Sequence, residues 1–529
     1  MTVKDLGRRG FLKSGVAALG AAALPVASPA LRWMEVTEAA EQAAAQQGAS
    51  GALIKIDMDR KLGAIDRKIY GSFIEHLGRC IYGGVYDEGS PLSDSEGFRK
   101  DVLAAARGLR ISILRWPGGN FSSAYDWKDG IGPKDARPRR WDPAWQEVET
   151  NRFGTDEFIQ YCRKLGAEPY ICVNMGTGTM EEAANWVEYC NATTDTYWAN
   201  LRKKYGHAEP YGVKYWALGN EVWGGWQAGH MDAKDYAAAA LEYGKMMRWV
   251  DPSIKLVASG DLDVAWDLPV LERLSYIVDY ISVHHYGGSI DTAKEMQDAH
   301  HFQEEIQLVD SIITAAMSRS RRKERIKIAV DEWNIWFRSG AKRGDPHKLE
   351  EIYNLRDALW VASALNIFHR MCNTVEMANL AQLVNVIAPI MTNATGIVLQ
   401  TIYYPFQLYA EHAGSVSLDA FVRSDTFPGM PGTPYIDVSA TTDGTGQKLT
   451  LAVVNRHPTA DIPVQIALDG FRPRGSGELY EVNGPSLDAT NTFAAPNNVT
   501  VKRQTISPSA AKFQRTFPAH SVSVLALRA

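Results

Sequence analysis

Cysteine, excess positive charge and long apolar runs are all scarce in this chain of 529 residues. The five cysteines are an odd number without CxxC spacing, which disfavours a disulfide scaffold and a structural zinc site. Asp and Glu (61) outnumber Lys and Arg (56), and no basic stripe disturbs that balance, so nucleic acid is disfavoured as a partner. No stretch reaches the roughly 18 apolar residues of a membrane-spanning helix.

The composition and length of the chain are typical of a folded protein with two domains. Hydrophobic residues make up 45% and charged residues 22%, as in ordinary globular proteins. Because single hydrophobic cores stop growing near roughly 250–300 residues, we expect the chain to fold as two domains. Its 15 Trp and 22 Tyr serve mostly as core residues, although their flat amphipathic faces also suit sugar rings.

The N-terminus has the pattern of an export signal. Arg8 and Arg9 precede an uncharged, Ala-rich run, and small residues near Ala30 offer a cleavage site. We therefore predict a twin-arginine signal peptide over 1–30, with a single membrane anchor as the alternative, and a linker over 31–52. The mature protein would be periplasmic or extracellular. Its cysteines are predicted to be mostly buried thiols, with at most a pair or two bridged.

Residues 65–395 alternate β-rich apolar runs with helical patterns. Thr155 is the predicted cap of one helix that ends at Gly166, and Asp232 that of another, which Asp251-Pro252 stops. Eight short runs do not alternate strictly between apolar and polar residues, which is typical of strands that are buried on both faces. They are 69–74, 111–115, 170–173, 214–218, 255–258, 280–283, 326–330 and 375–380. This pattern predicts a closed (β/α)₈ TIM barrel. A doubly wound open sheet is the alternative, but no GxGxxG follows the first strand.

From residue 396 to 529 alternating strands and turn signals replace the helices. This texture predicts a C-terminal β-sandwich of the jelly-roll kind. The run 53–64 alternates and precedes the barrel, so we expect it to be a strand of the sandwich.

Two glutamates close predicted barrel strands, where chemistry sits in this fold. Glu221 is the last residue of the motif Trp216–Glu221, and Glu332 follows the run 326–330. The two glutamates are 111 residues apart, which is consistent with positions at the ends of strands four and seven. The two carboxyl groups would then face each other across the barrel mouth. A pair about 5–5.5 Å apart suits double displacement at a sugar carbon.

Five motifs in order resemble those of the α-L-arabinofuranosidases of glycoside hydrolase family 51, and the resemblance covers about residues 53–529. They are Gly71-Ser-Phe-Ile-Glu-His-Leu-Gly-Arg79, Arg115-Trp-Pro-Gly-Gly-Asn120, Glu149-Thr-Asn-Arg-Phe-Gly-Thr-Asp-Glu157, Trp216-Ala-Leu-Gly-Asn-Glu221 and Asp331-Glu-Trp-Asn334.

The resemblance implies a retaining exo-glycosidase that releases non-reducing terminal α-L-arabinofuranosyl residues from hemicellulose or oligosaccharides. It makes Glu221 the acid/base and Glu332 the nucleophile. The residues that would bind the sugar or orient the carboxylates are Glu75, Asn120, Asn220, Tyr286 and Gln382. It implies no metal or organic cofactor, and a homo-oligomer, often a hexamer.

Without the family resemblance, simpler interpretations remain open for two of these positions. Glu75 could pair with an arginine such as Arg115, and Tyr286 could be an ordinary aromatic at the barrel mouth. His284-His285-Tyr286 also departs from the family pattern at its middle residue, so His285 puts the shape of the substrate-binding edge in question. Many members of the family are cytoplasmic, unlike an exported chain.

Three rival functions remain. A metal-dependent hydrolase could use His284, His285, His300 and His301, but no HxH or HExxH spacing exists, and adjacent strand residues point to opposite faces. A sugar-binding protein without catalysis would not need both glutamates. A β-xylosidase or endo-β-glucanase could use the same two carboxylates.

Overall fold

The computed structural model describes residues 51–337, the backbone of 344–345, and residues 349–508 and 510–529. The predicted signal peptide and nearly all of the predicted linker lie outside these residues. No helix in the described part of the chain is both long and apolar enough to cross a bilayer.

Eight parallel strands form a closed barrel, which confirms the predicted fold class. In chain order they are Gly71–Phe73, Ile113–Trp116, Glu168–Cys172, Tyr215–Leu218, Lys255–Ala258, Tyr280–Gly287, Lys327–Ile335 and Val375–Ala381. The eighth strand pairs with the first, Asn379 opposite Gly71, and so closes the ring. Inward side chains such as Tyr170, Tyr215 and Met377 fill its interior.

Helices surround the barrel strands. They are Lys100–Gly108, Thr155–Leu165, Met180–Asn191, Tyr197–Lys204, Ala233–Val250, Val264–Leu274, Thr292–Met317, Leu355–Arg370 and Tyr403–His412. Asp232 caps its helix as predicted, accepting bonds from two backbone N–H groups. The other predicted cap is displaced by one residue, because Thr155 is already helical and Gly154 occupies the cap. Gly166 ends that helix with a φ of 80°, a left-handed conformation that glycine adopts without strain.

The C-terminal domain consists mostly of strands, as predicted. Nine strands join edge to edge in the order Thr500–Ile506, Gly477–Asn483, Ser521–Arg528, Lys448–Asn455, Ile436–Thr442, Val416–Arg423, Ala52–Ala64, Ile462–Asp469 and Lys512–Phe517. Leu479 near one edge and Phe517 at the other belong to one buried cluster, so the sheet folds over a common core. The strand Ala52–Ala64 precedes the barrel in the chain but lies within this sheet.

All five cysteines are buried and free. None of the bridges that the sequence left open is therefore formed. Burial raises the pKa of Cys80 to about 12 and that of Cys172 to about 11, so these thiols stay protonated and unreactive.

Candidate active site

Glu221 and Glu332 meet at the carboxyl-terminal mouth of the barrel. Glu332 lies in the seventh strand and Glu221 three residues beyond the end of the fourth. One oxygen of each carboxylate and one ring nitrogen of His284 all lie within 4.8 Å of one another. This separation fits the close pair of a double displacement rather than the wider pair that leaves room for a water.

Glu332 is held on both oxygens. The Nη1 group of Arg115 donates to Oε1 at 2.7 Å, and the hydroxyl of Tyr286 donates to Oε2 at 2.8 Å. Because donors reach both oxygens, one from the second strand and one from the sixth, the carboxylate has a fixed orientation at the barrel mouth.

Arg115 is the centre of a buried ionic network. Its Nη2 group donates to Oδ1 of Asn220 at 2.5 Å, and its Nε lies 3.5 Å from Oδ2 of Asp331. Burial alone would lower the pKa of Arg115, but the carboxylates of Asp331 and Glu332 raise it well above the usual value. The guanidinium therefore stays charged, and it contacts both Glu332 and the residue just before Glu221.

Glu221 occupies a strained turn. Its φ is 41°, in the left-handed region that residues other than glycine seldom adopt, and Gly219 just before it has a φ of 81°. The side chain accepts bonds from Nε1 of Trp226 at 3.0 Å and contacts Nδ1 of His284 at 3.0 Å. Strain of this kind at a barrel mouth is typical of a functional residue.

His284 lies between the carboxylates. Its Nδ1 is 3.4 Å from Oε2 of Glu332 and its Nε2 is 3.2 Å from Oδ1 of Asp331. Burial lowers the pKa of His284, but Glu332, Asp331 and Glu221 outweigh it and raise the pKa to about 10. The imidazolium is thus an internal counter-ion for the acidic cluster.

Glu221, His284 and Glu332 also have the spacing of a possible three-ligand metal site. Arg115 and His284 already pair with these carboxylates, so a metal ion would have to displace existing ion pairs. The donor set therefore fits a cation poorly.

Glu75 forms a second buried cluster beside this pair. Its Oε1 accepts bonds from the backbone N–H of Phe121 at 3.1 Å and Nε1 of Trp145 at 2.9 Å, and its Oε2 accepts one from Nε2 of Gln382 at 3.2 Å. Burial raises the pKa of Glu75 to about 8. A Cβ at Gly119 would lie 2.6 Å from Oε2 of Glu75, so the Gly-Gly pair leaves room for this carboxyl group.

Two of the predicted amides retain an unused polar atom. Asn220 accepts from Arg115 through its oxygen, while its buried Nδ2 has no partner among the described residues. Gln382 donates through its nitrogen, while its buried Oε1 has none in the same part of the chain. The fifth predicted position, Asn120, begins the short turn that carries Phe121 and is half-buried.

Two simpler interpretations are wrong for this structure. Glu75 forms no ion pair with Arg115, whose guanidinium contacts Glu332 and Asp331 instead. Tyr286 is more than a barrel-mouth aromatic, since its hydroxyl binds Glu332 directly.

His285 does not shape the substrate-binding edge. It is buried on the outer face of the sixth strand, where its ring stacks on Phe302 at a centroid distance of 4.2 Å. Its two nitrogens contact Glu305 at 2.6 Å and Asp298 at 3.1 Å. Side chains alternate along a strand, so His284 faces the site while His285 faces the surrounding helices.

Sequence reasoning missed the two tryptophans that bind the candidate carboxyl groups. Trp145 lies in the hairpin Arg140–Asp142 and Glu147–Glu149, and Trp226 lies in the loop after Glu221. Both follow a strand end within a loop rich in aromatic residues, which is the one signal that could have indicated them.

Comparison with known proteins agrees with this geometry. Residues 105–313 match the family model "Alpha-L-arabinofuranosidase 1 domain", and residues 331–521 match "Alpha-L-arabinofuranosidase C-terminal domain". The probable alpha-L-arabinofuranosidase C of Aspergillus clavatus is 41% identical over 503 residues, which cover 90% of this chain and 97% of that protein. The chain belongs to the α-L-arabinofuranosidases of glycoside hydrolase family 51. It is a glycoside hydrolase.

A solved structure and a bacterial relative show further similarity, and a more distant structure shares the fold. An alpha-L-arabinofuranosidase from Thermotoga maritima, in complex with arabinose, is 45% identical, with a TM-score of 0.85 over 90% of this chain and 100% of that one. The intracellular exo-alpha-(1->5)-L-arabinofuranosidase 1 of Bacillus subtilis is 40% identical over 466 residues, which cover 84% of this chain and 92% of that protein. A bifunctional glucanase-xylanase from a metagenome library shares the fold, at 16% identity and a TM-score of 0.60.

Proposed function

We propose that this glycoside hydrolase is a retaining, exo-acting α-L-arabinofuranosidase, with Glu332 as nucleophile and Glu221 as general acid/base. The observation that carries the proposal is the close approach of the two carboxylates, whose facing oxygens lie within 4.8 Å. Retaining enzymes need this separation because the nucleophile itself, and not a water, attacks the sugar.

In the first step an oxygen of Glu332 attacks the anomeric carbon, and the bond to the leaving oxygen breaks as Glu221 gives that oxygen a proton. In the second step Glu221 takes a proton from water, which attacks the same carbon and releases Glu332. Two inversions at one carbon retain its configuration.

The surrounding residues fit these tasks. Arg115 and Tyr286 aim the nucleophile through its two oxygens. His284 and Trp226 hold Glu221 on the opposite side of the gap. Because these contacts exist without substrate, the site is preorganised for charge that develops in the transition state.

The unused amide atoms indicate where the sugar would bind. Nδ2 of Asn220 is available to donate to a hydroxyl next to the anomeric carbon, and Oε1 of Gln382 is available to accept from another. Leaving such atoms unpaired in a buried site is costly, and a substrate with hydroxyl groups would remove that cost. Glu75 and Asn120 would line the same pocket.

The arabinofuranosyl specificity rests on the relatives, which are named for that activity, and several of them cover nearly the whole chain. A panel of three aryl glycosides tests it: α-L-arabinofuranoside, β-D-xyloside and β-D-glucoside. We expect kcat/KM for the arabinofuranoside to exceed that for the others by at least about two orders of magnitude, since mispaired hydroxyls leave buried polar groups unsatisfied. A preference for the xyloside or the glucoside would reject the proposal in favour of the β-glycosidase alternative.

We also propose that the protein is exported by the twin-arginine route and acts outside the cytoplasm as a homo-oligomer. Arg8 and Arg9 before an uncharged run support the first part. The family resemblance supports the second, and such an oligomer would have closed symmetry. Light scattering that gives the mass of a single chain would refute the oligomer.

A further inference from the structure

A cavity of about 270 Å³ lies between the barrel and the C-terminal domain, and no residue of the catalytic cluster lines it. Its walls come from the helices Thr292–Met317 and Leu355–Arg370 and from the strands Val416–Arg423 and Ile436–Thr442.

The strand pairing explains why this cavity exists. Strands Val416–Arg423 and Ile436–Thr442 are paired from Val416 to Leu418 only, and beyond that point they separate. Ala420 and Val422 then pair only with the strand Ala52–Ala64 on their other side. The opening between the two strands is thus part of the sheet's architecture.

The polar groups of the cavity are chiefly donors. Arg456 is 4% exposed and donates through Nε and Nη2 to the carbonyl of Pro434, while its Nη1 group has no acceptor among the described residues. The hydroxyl of Ser363, which is 1% exposed, is also without a partner in that part of the chain. Both residues line the same pocket.

The charges leave an excess of one cation. Arg370 and Arg456 both line the cavity with a single carboxylate, that of Asp437. Both oxygens of Asp437 are occupied, since Oδ1 accepts from Arg370 at 2.9 Å and Oδ2 accepts from Asn366 at 2.8 Å. Asp437 is thus hydrogen-bonded to Arg370 while it also acts electrostatically on Arg456, so one carboxylate serves two arginines. Burial accordingly lowers the pKa of Arg456, although Asp437 opposes this effect.

We propose that this cavity is a binding site for a small oxyanion, which bridges the barrel helix Leu355–Arg370 and the C-terminal domain through Ser363 and Arg456. A guanidinium and a hydroxyl form a donor pair suited to a carboxylate or phosphate. The apolar part of the lining, which includes Ile367 and Val422, gives room for the body of a sugar acid. The site is separate from the catalytic cluster, so the proposal does not depend on the function proposed above.

Calorimetric titration of the whole protein with D-glucuronate, inorganic phosphate and D-glucose tests the proposal at constant ionic strength. Glucose is the uncharged match for glucuronate. We expect saturable binding of one or both anions and none of glucose. Binding of glucuronate alone would identify a sugar acid as the ligand class, and binding of phosphate alone would identify an inorganic or ester phosphate.

Variants locate the site. Arg456→Met should weaken binding about tenfold or more, and Ser363→Ala should weaken it less, whereas Arg456→Lys should keep most of it because the charge remains. Arg319→Met removes a guanidinium that is 79% exposed, and serves as the matched control with unchanged binding. If Arg456→Met does not fold, Ser363→Ala decides, because binding equal to that of wild type would overturn the proposal. No saturable binding of either anion, or equal binding by wild type, Arg456→Met and Ser363→Ala, would overturn the proposal.

Discussion

The hydroxyl of Tyr286 donates to Oε2 of Glu332 at 2.8 Å, on the side of the carboxylate opposite Arg115. This bond joins the ends of the sixth and seventh barrel strands, which run side by side with Asn334 opposite Tyr286. A single hydroxyl therefore orients the proposed nucleophile without contributing charge.

We predict that Tyr286→Phe lowers kcat by about 10- to 100-fold while leaving the fold intact. A hydrogen bond to a charged group is worth about 1.5–3 kcal/mol, and the substitution removes little else. Steady-state kinetics with an aryl arabinofuranoside measure the effect. Tyr243→Phe deletes a hydroxyl that binds the carbonyl of Gly178, and it is the control that should keep full activity. Equal activity of the two variants would contradict the role given to Tyr286.

Arg115 is expected to matter for stability as well as for catalysis. Arg115→Met removes the buried cation that faces Glu332 and Asp331, and breaking a buried pair by deleting one partner costs about 3–5 kcal/mol. Urea unfolding should therefore show a large loss of stability, together with a loss of activity. Arg319→Met breaks an exposed pair with Glu272 and should change stability little. A fully stable Arg115→Met variant would show that the network is not required for folding.

The buried carboxyl of Glu75 predicts a pH dependence of stability. Burial raises its pKa to about 8, so between about pH 4.5 and 8 the folded protein holds a proton that the unfolded chain has released. Stability from this group is fully present at low pH and is lost as the pH rises through 8. We expect the free energy of unfolding of wild type to fall by about 2–4 kcal/mol more than that of Glu75→Gln over this interval.

Urea unfolding at pH 5.5 and 8.5 measures this difference. Other groups, including His284, titrate in the same direction, so only the comparison between variants isolates Glu75. Glu272→Gln on the surface is the matched control and should retain the wild-type slope. Identical slopes for wild type and Glu75→Gln would mean that Glu75 is ionised in the folded protein at neutral pH.

The barrel and the candidate catalytic pair were predictable because their signals are local. Each strand contains a short apolar run, and Glu221 and Glu332 lie within three residues of the end of such a run. The partners of these carboxylates were not predictable, since Arg115 and Trp226 reach them only through tertiary packing. The prediction for His285 was wrong for a different reason. Side chains alternate along a strand, so His284 and His285 point to opposite faces, and only His284 can face the substrate.

If Arg8 and Arg9 direct export as proposed, Arg8→Lys combined with Arg9→Lys should leave active enzyme inside the cell. The twin-arginine machinery requires the pair, and lysine keeps the charge while changing the side-chain geometry. Arabinofuranosidase activity in cell and culture fractions is the measurement. Replacing Arg472 and Arg474 with lysine in the C-terminal domain controls for the substitution itself. Undiminished secretion of the first variant would reject the signal.

The division of labour between the two glutamates gives the last prediction. If Glu332 attacks the anomeric carbon, Glu332→Ala removes the only route to the glycosyl-enzyme, and turnover should collapse for every leaving group. Glu221→Ala should behave differently, because a nitrophenyl group leaves without protonation and does not need the acid in the first step. Stopped-flow kinetics should then show a burst of nitrophenol followed by slow turnover.

The slow step in Glu221→Ala is hydrolysis of the intermediate, which lacks its base. Azide attacks without base assistance, so it should restore turnover in Glu221→Ala and give an arabinosyl azide of retained configuration. Any azide product from Glu332→Ala should have inverted configuration, because azide then attacks in place of the missing nucleophile. Exchange of these behaviours between the variants would exchange the roles of the residues. Product NMR during wild-type turnover completes the argument: arabinose released first in the retained configuration supports double displacement, whereas an initially inverted arabinose would mean direct attack by water and would reject the retaining mechanism.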